Sequence, residues 1–178
     1  MKKLMKTAIC LFCIILFSGC VSLKQTKQTG IKKIDNTSAF NGVYENNFAE
    51  NDTEFFTLWS QLKLDNTSEQ LDFKQAKIEL TALSKTRIKA IWRQGNEQKA
   101  ELVLKGKLKD NYFVSKHKRT IIPIPLIYGE FKNNQFQLAL SENNNLLIDR
   151  LDNQWGWVFF FLAANNSTKS YEYKGIKF

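Results

Sequence analysis

The stretch Ile78-Glu79-Leu80-Thr81-Ala82 alternates apolar and polar residues. A period of two places Ile78, Leu80 and Ala82 on one face of an extended chain and Glu79 and Thr81 on the other. The pattern spreads outward. Ile88, Ala90 and Trp92 alternate with Lys89 and Ile91, and Gln94-Gly95-Asn96 is a turn signal. Leu102 and Leu104 lead to a turn at Lys109-Asp110-Asn111, and Tyr112-Phe113-Val114 opens another run. Phe136, Leu138 and Leu140 alternate after an expected turn at Asn133-Asn134. Leu146 to Leu151 follows Asn143-Asn144-Asn145, then comes Trp155 to Leu162, apolar on both parities, and Tyr171 to Phe178 reads as a last strand. Short runs separated by Asn, Gly and Asp turns predict an antiparallel meander of roughly nine or ten strands. Such a meander curls into a barrel or half-barrel, because open strand edges invite pairing with other chains. The expected class is therefore mainly all-β.

One helix interrupts this pattern. Ala39 to Tyr44, with Phe40 and Tyr44 around Gly42, reads as a first strand. Asn51 can then cap a helix, with Glu54 completing a capping box. Phe55, Leu58, Trp59 and Leu62 follow at the spacing of one apolar helical face, ending near Leu64-Asp65-Asn66.

The chain has 178 residues, enough for one domain, and a net charge of +9. A basic balance favours anionic surfaces: phospholipid or lipopolysaccharide head groups, or acidic glycans. The lysines are scattered rather than clustered on one element, which argues against nucleic acid. Met1 to Lys6 is basic and Thr7 to Phe17 apolar. About a dozen apolar residues fall short of the roughly 20 that span a bilayer, and fit a signal peptide. Ser18-Gly19-Cys20 resembles the lipobox of bacterial lipoproteins, with Phe17 where that pattern usually has an aliphatic residue. The resemblance implies removal of residues 1–19 and a diacylglycerol on Cys20. Val21, rather than an aspartate, then implies the outer membrane. Residues 20–39 are polar and read as a flexible tether with a reach of roughly 25 Å. Residues 40–178 form a single β-rich domain. Cys10 and Cys13 fall in the leader, so no disulfide is expected to hold the mature fold.

The mature chain, with its Asn- and Lys-rich turns, also resembles small β-rich lipoproteins of the Bacteroidetes. The strand–helix–meander order is similar to the lipocalin architecture, with Gly42-Val43-Tyr44 where lipocalins carry Gly-x-Trp. That likeness implies a carrier of a small apolar ligand.

Catalytic motifs are sparse. His117 is the single histidine, set in Lys116-His117-Lys118-Arg119, and reads as an exposed turn residue. No Gly-x-Ser-x-Gly elbow supplies a nucleophile. Ser60/Lys63 and Ser115/Lys118 have Ser-x-x-Lys spacing but lack the companion motifs. No Asp-x-Asp-x-Asp-Gly loop offers a calcium site. The expectation is a non-catalytic binding or assembly accessory protein of the envelope, without cofactor or metal. Its partner would be another envelope protein or anionic lipid head groups.

Three groups of residues are candidates for binding. Lys116, His117, Lys118, Arg119, Ile121, Ile122 and Tyr128 join cations to an apolar run. Pro123 and Pro125 exclude an uninterrupted central strand and leave an edge, a bulge, a projecting loop, or a solvated turn leading into a core strand kinked by the prolines. Trp155, Trp157, Phe159 and Phe161, with Trp59, read either as core beneath the helix or as the lining of a ligand cavity. Asp149 and Arg150 lie where both parities mix apolar and charged residues. Either one of the pair points inward, where it needs a partner or orients a ligand, or the pair reads as solvated residues at a strand end.

Overall fold

Ile78 to Ala82 is extended, and it buries the face that its alternation assigns: Ile78 and Leu80 lie in the core. The computed structural model describes residues 30–47, 56–64, 72–73, 75–124, 127–159 and 161–176. Its strands are β1 (Gly42–Glu45), β2 (Ala76–Ser84), β3 (Arg87–Gln94), β4 (Glu97–Lys109) and β5 (Tyr112–Ser115). They continue with β6 (Lys118–Ile124), β7 (Tyr128–Leu140), β8 (Leu146–Val158), β9 (Phe161–Tyr173) and β10 (Gly175–Ile176). All pair antiparallel in one 10-stranded sheet of order β10-β1-β2-β3-β4-β5-β7-β8-β9, with β6 paired to β7. The sheet is open, so the half-barrel is the form adopted. Its two ends are nonetheless consecutive in sequence, since only Lys174 separates β9 from β10.

The curl surrounds one core. Tyr44 of β1, Ile78 of β2, Trp92 of β3, Phe113 of β5, Leu138 of β7 and Tyr173 of β9 belong to a single buried cluster. The turns obey local chemistry. Asp110, Asn111 and Asn144 take positive φ, which short polar side chains tolerate best after glycine.

Helix α1 spans only Leu58–Leu62. Thr57 is its cap, with an extended backbone and a hydroxyl that accepts from the Ser60 N–H. Of the expected helix over 51–64 the described residues show Leu58–Leu62, and Asn51, Glu54 and Phe55 lie outside them. A helix of five residues has little stability of its own. It is fastened instead by the sheet. At its start, the Leu58 N–H donates to the Asn46 carbonyl at 2.7 Å, and the Trp59 N–H to Asn46 Oδ1 at 3.0 Å. At its end, Arg150 Nη1 donates to the Gln61 and Lys63 carbonyls at 2.8 and 2.7 Å. A cation on the last carbonyls also complements the helix dipole. Leu58, Trp59 and Leu62 then bury into the core, where Trp59 meets Trp92 edge to face at 5.6 Å.

Several expectations need correction. Asn133-Asn134 is not a turn: β7 runs through it, paired with Asn153 and Asp152 of β8. Leu146–Leu151 and the start of the Trp155 run are one strand, and the next turn comes at Phe159. The last long strand consequently begins at Phe161 rather than Tyr171. The expected tether is also shorter at its domain end, because Ile31 bridges Ser141 and Ile34 is buried in the core. Thr37–Phe40 forms a 3-10 turn, and Phe40 is fully buried ahead of the first strand.

The Arg150 clamp is testable. Arg150→Met keeps the apolar stem but leaves two helix carbonyls without their donor. We expect a loss of about 2–3 kcal/mol in urea unfolding. Asp152→Asn, which removes only the half-exposed partner of the Arg150 ion pair, is expected to lose less than about 1 kcal/mol.

Candidate functional site

β7, β8 and β9 are each 13 residues long, and their pairing is unbroken along the full length. Only about half of that length covers the core. Leu138, Leu140, Leu146, Ile148, Tyr171 and Tyr173 are buried there. The remainder projects beyond it and is widened by β6, making a four-stranded extension of order β6-β7-β8-β9.

The register divides the extension into a belt and a tip. The belt begins with the row Lys118, Asn134, Asp152 and Ser167. The row Arg119, Asn133, Asn153 and Asn166 comes next, followed by Thr120, Lys132, Gln154 and Asn165. Beyond these polar rows the composition reverses. Ile121, Phe131, Trp155 and Ala164 form one row, and Ile122, Glu130, Gly156 and Ala163 the next. Gly129, Trp157 and Leu162 follow, and Ile124, Tyr128, Val158 and Phe161 end the ladder. Successive rows point to opposite faces, so the tip is apolar on both. Phe161 and Leu162 are 80% and 81% exposed, and Ile121 is 63% exposed.

Local packing stiffens the tip. Phe131 stacks on Trp155 at 5.3 Å, and Trp155 on Trp157 at 6.0 Å. Gly129 makes room for this: a Cβ there would stand 2.0 Å from the Trp157 ring. At the apex, Phe159 has φ of 54°, a left-handed conformation that a bulky aromatic rarely adopts. Its N–H donates to the Ile127 carbonyl at 2.8 Å, tying the β8–β9 turn to the β6–β7 turn.

One carboxylate sits within the tip. Glu130 pairs with Lys132 at 3.0 Å and accepts from Gln154 Nε2. The hydrogen bond from Lys132 holds the Glu130 carboxyl below its ordinary value. Burial, and then the charge of Glu130, push the Tyr128 phenol up.

The three candidate groups are distributed as follows. Lys118, Arg119, Ile121, Ile122 and Tyr128 meet in the extension, with Lys116 and His117 just before it. His117 Nδ1 lies 2.9 Å from Asn133 Oδ1, and its residue is exposed, as expected. β6 pairs with β7 alone among the described residues, so it is an edge strand, one of the alternatives that Pro123 left open. Trp155, Trp157, Phe159 and Phe161 are not core beneath the helix, nor do they line an internal cavity with Trp59. Trp59 is in the core, and the other four lie in the tip, because β8 has passed the end of the core before Trp155. Asp149 and Arg150 are both buried, on opposite faces. Asp149 accepts from Gln137 Nε2 at 2.8 Å and from Ser170 Oγ at 2.5 Å. Arg150 holds α1, so both are internal ties and not solvated residues at a strand end.

Sequence reasoning passed over Gly129, Phe131, Val158 and Leu162 as members of one surface. A signal was present. Asn133-Asn134, Asp152-Asn153-Gln154 and Asn165-Asn166-Ser167 are polar interruptions at matching distances from the turns. The Ser-x-x-Lys spacing points to Ser115 only as a nucleophile. It is buried, and its Oγ accepts from the Phe136 N–H at 2.9 Å where the β5 ladder ends.

Two measurements check this geometry. Gly129→Ala is expected to unseat Trp157 and weaken the near-ultraviolet dichroism of the stacked indoles. Global stability should move by no more than about 1 kcal/mol, since the core is untouched. Lys132→Met is expected to raise the Glu130 pKa toward its ordinary value, read by carbon NMR of the carboxyl. A carboxylate with a lowered folded pKa stabilises the fold above its ordinary titration range. That contribution disappears as pH falls through the depressed value, so Lys132→Met should flatten this part of the acid limb.

Comparison with known protein families, with characterised proteins and with solved structures finds no match to this chain.

Proposed function

We propose that this chain is a lipid-anchored protein of the bacterial cell envelope, facing the outer membrane, that binds rather than catalyses. The projecting extension is its binding element, and the protein serves as an accessory or assembly factor. The observation that carries this reading is the pair Phe161 and Leu162, 80% and 81% exposed on a sheet extension that adds nothing to the core. Burial in the core gives no reason for such side chains at that place. A contiguous apolar patch of this kind is the usual mark of an interaction surface. The anchored part of the reading is supported by the basic segment, the apolar run and Ser18-Gly19-Cys20.

A carrier function is the second reading, and a cleft favours it. A volume of about 590 Å³ lies between α1 and β4–β5. It is bordered by Trp59, Leu62, Leu104 and Phe136 on the apolar side and by Lys116 and Lys118 at its mouth. That size suits a small ligand, and the cations would meet an acidic end.

The test has two parts. An alkyne analogue of palmitate should label the wild-type chain in a bacterial host but not Cys20→Ser. A photoreactive amino acid at position 161 should give adducts in the envelope, while one at the exposed Lys85 should not. Absence of label removes the anchor. Equal adducts at both positions remove the extension as the binding element. A ligand co-purifying with the chain and lost on Leu104→Trp would favour the carrier.

A further inference from the structure

The geometry points to one leaflet of a lipid bilayer as the occupant of the tip: the end of the β6–β9 extension enters the membrane edge-on, as a fixed sheet. This deepens the proposed envelope function and rests on it only for the presence of a membrane nearby.

Four observations lead there. The first is two-sidedness. A protein partner covers one face of a sheet, whereas a bilayer surrounds an inserted element on every side. Ile121, Phe131, Trp155 and Leu162 are on one face, and Ile124, Val158 and Phe161 on the other. The apex residue Phe159 is exposed as well.

The second is depth. Four apolar rows separated by about 3.3 Å give roughly 10 Å, and the turns add a little more. One leaflet of hydrocarbon is about 15 Å thick. The tip therefore fits within a leaflet and is too short to cross the bilayer.

The third is charge complementarity. Lys132, Arg119 and Lys118 occupy the three rows immediately behind the apolar ones, about 3–10 Å further back. Lys116 and Lys169 flank the same belt. This places cations at the depth of phosphate head groups when the apolar rows are submerged. Trp155 lies in the first apolar row, directly in front of the cations, the zone that amphipathic rings favour. Glu130 is the one carboxylate among the apolar rows. Lys132 neutralises it, and the lysine stem is long enough to keep its ammonium at the interface.

The fourth is the apex. A left-handed position in a hairpin turn favours glycine or asparagine. Phe159 occupies it here, against its conformational preference, and so supplies an aromatic side chain at the leading end.

The experiment uses the mature chain, residues 20–178 with Cys20→Ser, so that neither leader nor acyl chain contributes to binding. Removing residues 1–19 takes away none of the described fold. The probes are vesicles of phosphatidylglycerol with phosphatidylethanolamine, and vesicles of phosphatidylcholine alone. Flotation is expected with the first. The indole emission should move to the blue and be quenched by bromine on the acyl chains. Trp59 and Trp92 are buried in the core, so that signal reports Trp155 and Trp157.

Phe161→Asp with Leu162→Asp should lower partition at least about tenfold. Both sites are highly exposed, and an unchanged urea midpoint shows that the fold is kept. Lys118→Gln with Arg119→Gln should weaken binding to the anionic vesicles about fivefold per charge and leave the neutral ones unaffected. Absence of flotation overturns the inference, as does equal flotation of wild type and the double aspartate variant. A dimer in sedimentation that the aspartate variant dissolves, without vesicle binding, assigns the tip to a second copy and also overturns it. Because acylation is absent here, vesicle binding and palmitate labelling fail independently of one another.

Discussion

Every part of the molecule depends on the register of β7, β8 and β9. Leu140 pairs with Leu146 beside the turn, and Leu146 with Tyr173. From those pairs the ladders continue without a shift to Tyr128, Val158 and Phe161. The side-chain period of a strand is two, so one register governs both the buried half and the projecting half. A slip of one residue would turn Leu138 and Ile148 out of the core and invert the tip in the same step. The turn that starts the register is well specified. Asn144 supplies the positive φ, and the Ser141 N–H donates to the Asn145 carbonyl at 3.0 Å. The core then selects this register over its neighbours.

Where the core ends, polar groups take over its tasks. Arg150 stands at that border, opposite Phe136 and Lys169. Its charge is buried, which would be unfavourable without partners. Two helix carbonyls and Asp152 supply them. The same contacts keep a five-residue helix in place over the core. Tyr173 adds another tie, its hydroxyl donating to the Phe56 carbonyl at 2.7 Å, and burial pushes that phenol well above its ordinary pKa. On the opposite face, Asp149 joins β7 and β9 through Gln137 and Ser170. Beyond this border the extension carries a polar belt, and the tip past it is held by aromatic stacking.

The sheet was legible because alternation is a local signal. Ile78, Leu80, Ile88, Ala90, Trp92, Phe136 and Leu138 are all buried, as their parity requires. The Asn/Gly/Asp turns at 94–96, 109–111 and 143–145 are present for the same reason. The reading failed at Asn133-Asn134, where a turn signal is in fact a strand crossing a polar belt. Asparagine favours turns when nothing competes, but here both residues are paired in the ladders that join β7 to β6 and to β8. It failed again at Trp155 to Leu162. Apolar residues on both parities ordinarily mean a doubly covered strand. Here nothing among the described residues covers them, and parity alone cannot distinguish a core from a tip.

By itself the sequence determined the class of fold, the alternating core face and most of the turns, and it excluded an uninterrupted central strand at Pro123. These follow from interactions between residues close in the chain. The tertiary structure decided strand length, the border at Arg150 and the fate of the aromatics. Those depend on how far each strand runs past the core, and that distance is set by pairing between segments remote in sequence. Trp59 and Trp155 carry the same side chain. One is buried against Trp92 and the other stands in the extension, because only the first lies within reach of the sheet's curl.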